Sequence, residues 1–208
     1  MYRPVGTDMT TATHGTRDQI LDAASRLISV RGYHCTSLDD VLRESGVGKG
    51  NFYHYFKSKE ELGYAILDRF VTGFVERMLE PSFGDPDLSP LAQVGRFLDR
   101  VLEGQRQRNC IGGCPMGNLA SELSDIHEGF RSRLAGVFLA WQERVSQALE
   151  KARAQKELGE DAEPDRIAQF LVAALEGAIL LTKVTKDIRV MEQFVTELKT
   201  HLAHYQAT

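Results

Sequence analysis

The chain has 208 residues with a hydrophobic share of 42% and a charged share of 26%, the composition of an ordinary globular protein. Its net charge of −4 argues against a general nucleic-acid binder, and three cysteines are too few and odd in number for a secreted disulfide framework. No apolar run approaches the ~20 residues of a membrane span, and residues 1–13 lack the apolar core of a signal peptide, so a cytoplasmic protein with no membrane partner is expected. The charge is unevenly spread. Residues 43–59 carry Arg43, Lys49, Lys57 and Lys59 against Glu44 alone, whereas residues 64–208 hold 17 Lys and Arg against 21 Asp and Glu. A small basic patch on an acidic body suits a protein that touches DNA with one surface.

In chain order, residues 1–15 read as a flexible arm, either without a role or reaching a minor groove through Arg3. A first helix is expected over 16–30. Thr16 and Gln19 have capping-box spacing, and Ile20, Ala23, Ala24, Leu27 and Ile28 form one apolar face before Gly32. From Ser37 the pattern becomes two short helices around a tight turn. Ser37 is a candidate N-cap with Asp40 three residues on. Leu38, Val41 and Leu42 form a stripe, and Gly46 stops the helix. Val47 re-enters the core, and Phe52, Tyr53 and Phe56 point inward from the next helix. This is a helix-turn-helix pattern, whose second helix lies in the major groove of DNA.

A fourth helix begins after Lys57, with Ser58 as N-cap and Glu61 as its capping-box partner, and continues through Ile66, Phe70, Phe74 and Met78. It is the expected lever between the two halves. Three prolines and a glycine over 81–90 mark the strongest break in the chain. A fifth helix is expected over 91–107, a short sixth over 117–124 and a seventh over 126–158. The eighth, 164–185, has two apolar stripes: Ile167, Leu171, Ala174, Ala178 and Leu181, then Phe170, Ala173, Gly177, Leu180 and Val184. The ninth repeats Ile188, Met191, Val195, Leu198 and Leu202. Two stripes on one helix require burial on two sides, so helices 8 and 9 are expected to form a four-helix homodimer interface. No strand alternation appears, and the fold class is all-α with about nine helices.

The run 16–62 carries Thr16-Arg17-Asp18-Gln19-Ile20-Leu21-Asp22-Ala23-Ala24, then Gly32-Tyr33, Thr36-Ser37, and Gly46 through Leu62 in the order G-V-G-K-G-N-F-Y-H-Y-F-K-S-K-E-E-L. It resembles the N-terminal domain of the TetR/AcrR family of transcriptional repressors. The resemblance implies a helix-turn-helix DNA-binding domain over 16–62 and an effector-binding and dimerisation domain over 63–208. It further implies a double-stranded operator and a second copy as partners, a small-molecule effector, and no cofactor. By the same resemblance the DNA surface comprises Ser37, Lys49, Gly50, Asn51, Tyr53, His54, Tyr55 and Lys59. Lys49 can donate to guanine O6 and N7, while Ser37, Asn51, Tyr55 and Lys59 are expected mostly on phosphates.

An effector pocket is expected between helices 4 and 8. Its aromatic and sulfur-bearing candidates are Phe70, Phe74, Phe97, Met116, Phe138 and Trp141, with Asn118, Glu122 and His127 as polar anchors. The same aromatic stripes also read as plain core. Cys110 and Cys114 bracket Ile-Gly-Gly at a spacing that fits neither a zinc knuckle nor a thioredoxin motif. A structural role and a thiol-based redox or electrophile sensor both remain open for them. No nucleophile–base pair, metal cluster or phosphate loop stands out for an enzyme. Glu122 and His127 would be the nearest to an acid–base pair.

Overall fold

The computed structural model describes residues 15–207, and Arg3 and the rest of the arm before residue 15 lie outside them. Among the described residues the chain is all-helical, with one isolated bridge between Leu158 and Gln206. The first three helices are α1 (Thr16–Arg31), α2 (Leu38–Ser45) and α3 (Lys49–Tyr55). The fourth, α4 (Lys59–Phe74), runs on through one π turn (Val75–Leu79) and a last α turn (Glu80–Phe83). After it come α5 (Pro90–Gln107), α6 (Pro115–Leu123), α7 (Glu128–Ala154), α8 (Pro164–Thr185) and α9 (Ile188–Ala203).

The reading head is a small core made by local periodicity. Ile20, Ala23, Ala24 and Ile28 of α1 are buried against Val41, Val47, Phe52 and Phe56. Ser37 caps α2 as expected: its hydroxyl accepts from Asp40 N at 3.1 Å, and the Asp40 carboxylate accepts from Ser37 N at 3.0 Å. Gly46 closes the helix in the left-handed region at φ 68°. Three local expectations differ. Gly15, not Thr16, is the N-cap of α1, because its carbonyl takes both the Asp18 and Gln19 N–H groups. Tyr53 is 46% exposed rather than inward, since Phe52 and Phe56 already fill the core side of the short α3. Ser58 does cap α4 by accepting from Glu61 N, but the Glu61 carboxylate reaches back to Lys57 N instead of Ser58 N.

The break expected over 81–90 starts later, at Gly84, because α4 passes through Pro81. Proline has no N–H to give the carbonyl four residues back, here that of Arg77. Arg100 of α5 fills the vacancy, donating to Arg77 O through Nε at 3.1 Å and Nη2 at 2.9 Å. The widened π turn just before the proline belongs to the same accommodation. Sequence periodicity could not show this, because the rescuing donor comes from another helix. The seventh helix is likewise shorter than expected. It starts at Glu128, after His127 has capped it through Nδ1, and stops at Ala154.

The larger body packs α7 against α8, α8 against α9, and α5 against α7 and α9. Phe97 is its aromatic centre, 1% exposed and within 6.4 Å of the rings of Phe74, Phe83 and Trp141. One stripe of α8 is buried as expected at Ile167, Leu171 and Ala178, with Ala174 half-buried, but Leu181 is 46% exposed. The second stripe, Phe170, Ala173, Gly177, Leu180 and Val184, is exposed throughout. In α9 the residues Met191, Val195, Leu198 and Leu202 are buried in the chain's own core, leaving no large apolar residue fully exposed there. The expectation that no run is long enough for a membrane also needs correction: α8 is long and apolar enough by length and composition. One side of it is nevertheless packed in the bundle, and it carries Glu176 and Lys183.

Candidate nucleic-acid interface and effector cavity

The outer face of the reading head is polar. Lys49, Gly50, Asn51, Tyr53, His54 and Tyr55 are all exposed. Among the described residues, no side-chain hydrogen bond or ion pair of the head engages Lys49, Asn51, Tyr53 or His54. The His54 and Tyr55 rings meet edge-on at 4.9 Å, which fixes their mutual direction. A Cβ placed on Gly50 would meet nothing within 4 Å, so the fold itself does not demand glycine there. The absence of a side chain instead leaves the backbone of α3 free to approach an outside body closely. Ser37 is exposed beside this face at the start of α2.

Lys59 departs from its expected place. Its ammonium donates to Tyr33 O at 2.7 Å and sits 4.3 Å from the centre of the Tyr33 ring. Burial lowers its pKa, and the nearby Glu122 carboxylate opposes that. It is therefore a strut between α4 and the turn after α1, not a free outward cation. Glu122 also departs from its expected place. Instead of lining the cavity, its two oxygens accept from Tyr33 N at 3.1 Å and His34 N at 3.0 Å. Gly32, at φ 86°, makes this possible: a Cβ there would lie 2.6 Å from Glu122 Oε1. The end of α6 is thus clamped to the reading head. His127 adds to this junction, with Nε2 3.5 Å from Glu60 Oε1, and the Tyr33 and Tyr64 rings pack on Phe130. Glu122 and His127 are structural partners of the head and form no acid–base pair with each other.

At the other end of α6 lies a cavity of about 80 Å³. Of the expected residues, Phe70, Phe74, Met116 and Trp141 line it. Phe138 and Asn118 line a neighbouring, more open cavity of about 300 Å³, which shares Cys114, Glu176 and Ile179 with the first. Asn118 is already engaged there, donating to Gly112 O at 2.6 Å and accepting from Lys183 Nζ at 2.9 Å. Phe97 lines neither and is core. Sequence reasoning missed Arg77, Gln105, Arg108 and Glu176 of the smaller cavity. Only Glu176 left a signal, as the lone carboxylate inside the apolar run A-A-L-E-G-A-I.

Cys110 and Cys114 sit in the loop between α5 and α6, whose backbone is left-handed at Asn109, Cys110, Gly112 and Gly113. Cys114 is the N-cap of α6, its sulfur accepting from Gly117 N at 3.4 Å. A helix N-terminus favours thiolate, but here burial and then the Glu176 charge push the Cys114 thiol well above its usual range. Burial also raises the Glu176 carboxyl, partly offset by its hydrogen bond from Cys114.

Comparison with known proteins matches two segments of the chain. Residues 20–66 match the family described as bacterial regulatory proteins, tetR family, and residues 90–198 match the tetracyclin repressor-like C-terminal domain. The chain is 34% identical to the transcriptional regulator AcuR of Cereibacter sphaeroides over 88% of this chain and 81% of that one. It is 31% identical to the transcriptional repressor NemR of Escherichia coli K12 over 91% and 95%. Among solved structures, a regulatory protein TetR from Rhodobacter sphaeroides superposes with a TM-score of 0.82 at 32% identity, covering 89% of this chain and 98% of that one. The reduced form of E. coli NemR does so with 0.81 at 30% identity, covering 90% and 96%. With both segments matched and near-full-length relatives above 30% identity, the chain belongs to the TetR family of DNA-binding transcriptional regulators, which carry a ligand-binding C-terminal domain and are not enzymes.

Proposed function

We propose that this protein is a cytoplasmic repressor that grips a near-palindromic operator as a homodimer and lets go when a small molecule fills the cavity beside α6. The observation that carries this reading is the arrangement of α6. Cys114, Pro115 and Met116 at its start line the cavity, while Glu122 near its end holds the Tyr33 and His34 N–H groups of the reading head. A guest that binds one position of α6 better than another would bias the position of the head, because a ligand shifts an equilibrium only through differential affinity.

The head is taken as 16–62 and the body as 63–208. Lys49 serves a guanine edge, Asn51 and Tyr55 serve phosphates, with Ser37, Gly50, Tyr53 and His54 around them. Lys59 acts by holding Tyr33 in place. The second copy docks on the outer stripe of α8, where Phe170, Leu180, Leu181 and Val184 form an exposed apolar face. α9 contributes little to that contact, because its stripe is inside the chain. A partner helix covering the outer face of α8 also accounts for that helix's apolar character without a membrane.

A thiol sensor is the weaker reading for this conformation, because Cys114 is buried, its thiol is held protonated, and Cys110 is buried as well. The test pairs sedimentation of the purified chain with fluorescence anisotropy on inverted-repeat duplexes at several salt concentrations. A dimer with a salt-sensitive preference for one inverted repeat is expected. A monomer at micromolar concentration, or binding indifferent to sequence, would sink the proposal.

A further inference from the structure

Buried polar side chains without partners are rare in folded proteins and call for an explanation. Among the described residues six such atoms occur, and three of them, Gln105 Oε1, Trp141 Nε1 and Glu176 Oε1, belong to residues that line the cavity of about 80 Å³. Gln105 and Trp141 are 1% and 2% exposed, so bulk water does not serve them. They come from three different helices, α5, α7 and α8, so no local backbone geometry brings their orphan atoms together.

The lining also carries charge. Arg77 of α4 and Arg108 after α5 both line the cavity, close enough for their like charges to oppose each other. Their neighbours are paired: Arg106 with Glu103 and Glu192, and Arg96 with Asp85. Neither Arg77 nor Arg108 has such a carboxylate partner among the described residues. Phe70, Phe74 and Ile179 are apolar residues of the same lining. The space is about half that of the ~150 Å³ cavity that admits six-atom benzene, so a guest of about six heavy atoms also draws on the adjoining cavity of about 300 Å³, which shares Glu176 and Ile179.

We infer that the effector is a short-chain carboxylate, its anionic group between Arg77 and Arg108 and in reach of Trp141 Nε1, its short apolar body against Phe70, Phe74 and Ile179. This rests on the effector reading above and names the class that reading leaves open. A guanidinium pair is suited to a planar carboxylate because its N–H groups match two oxygens at once. The indole N–H is a donor only, so it too calls for an acceptor on the guest. Gln105 can turn either end of its amide to the ligand. Burial pushes the Glu176 carboxyl up and so favours its protonated form, which donates a hydrogen bond and repels an anion less.

The test uses the full-length protein and four probes: butyrate, its neutral isosteres butyramide and 1-butanol, and inorganic phosphate as a simple anion. Melting temperature and release of a labelled operator are read for each. Butyrate is expected to stabilise the protein and release the operator at a concentration at least tenfold lower than either isostere, with phosphate inactive. Arg77→Gln and Arg108→Gln should each shrink the butyrate-to-butyramide ratio toward one. Should either variant not fold, the ratio in the unmodified protein decides. If the neutral isosteres act as well as butyrate, or phosphate acts alike, the carboxylate assignment is overturned while the effector reading stands. If no short-chain compound acts, the assignment is overturned too. The effector reading itself falls only if a broad metabolite library also leaves operator affinity unchanged.

Discussion

The outer face of α3 and the cavity beside α6 both hold polar side chains without partners, yet they do so in opposite settings. On α3, Lys49, Asn51 and His54 are exposed, and water satisfies them until something replaces it. In the cavity, Gln105 and Trp141 are almost wholly buried, and nothing among the described residues satisfies Gln105 Oε1 or Trp141 Nε1. The first surface is ready at little cost and gains affinity by contacting phosphates and bases. The second keeps unmet hydrogen bonds in place, so a fitting guest gains from each one it completes. A reading head is therefore expected to tolerate outward substitutions in stability and lose function, whereas the cavity should show stability and function moving together.

The sharpest way to break this contrast is at the head's inner side. Phe52→Ala empties a fully buried aromatic position and should cost about 3–5 kcal/mol by denaturant unfolding, far more than any outward substitution on α3. Lys49→Ala should leave the midpoint within ~0.5 kcal/mol while weakening operator binding by about 1–3 kcal/mol and relaxing sequence preference, as read by anisotropy. Unchanged operator affinity would remove α3 as the reading helix. Glu122→Ala strands two backbone N–H groups, one of them partly solvated, and should cost about 1–2 kcal/mol. If α6 carries the signal, this variant also uncouples effector from operator, so melting and release should be measured together.

The smallest effect should come at Glu176, and its sign is set by pH. Burial raises its folded pKa above the unfolded value, so the folded state holds the extra proton. Stability from this group is then present at acid pH and is lost as pH rises through the unfolded carboxylate range toward the folded pKa. Glu176→Gln should accordingly melt at a higher temperature than the parent at pH 8 and at the same temperature near pH 4. Equal melting at both pH values would show that the carboxyl is not desolvated.

Much of the head was legible in order along the chain. Ser37, Gly46, Val47 and Phe52 sit within a few residues of the partners that define them, so capping and periodicity place them directly. Tyr53 was misplaced because its neighbours at positions 52 and 56 already occupy the inner side of a helix only seven residues long. The outer stripe of α8 was legible too, since two apolar faces on one helix can be counted from residue spacing. Pro81 shows where counting stops: it reads as a helix breaker, and only Arg100, from a different helix, allows α4 to pass it. Glu122 and Lys59 read as outward or cavity-facing polar groups until the turn at Tyr33 comes to meet them.

By itself the sequence determined the all-helical class, the reading head with its capped turn, and the apolar excess on α8. Those depend on periodicity, caps and glycine positions, which act over a few residues. Only the tertiary structure decided which polar side chains are orphaned together, how α6 is tied to the head, and that Phe97 is core while Trp141 faces a cavity. Those outcomes depend on distances between helices far apart in the chain, and side-chain spacing along one helix carries no information about what a neighbouring helix brings to its face.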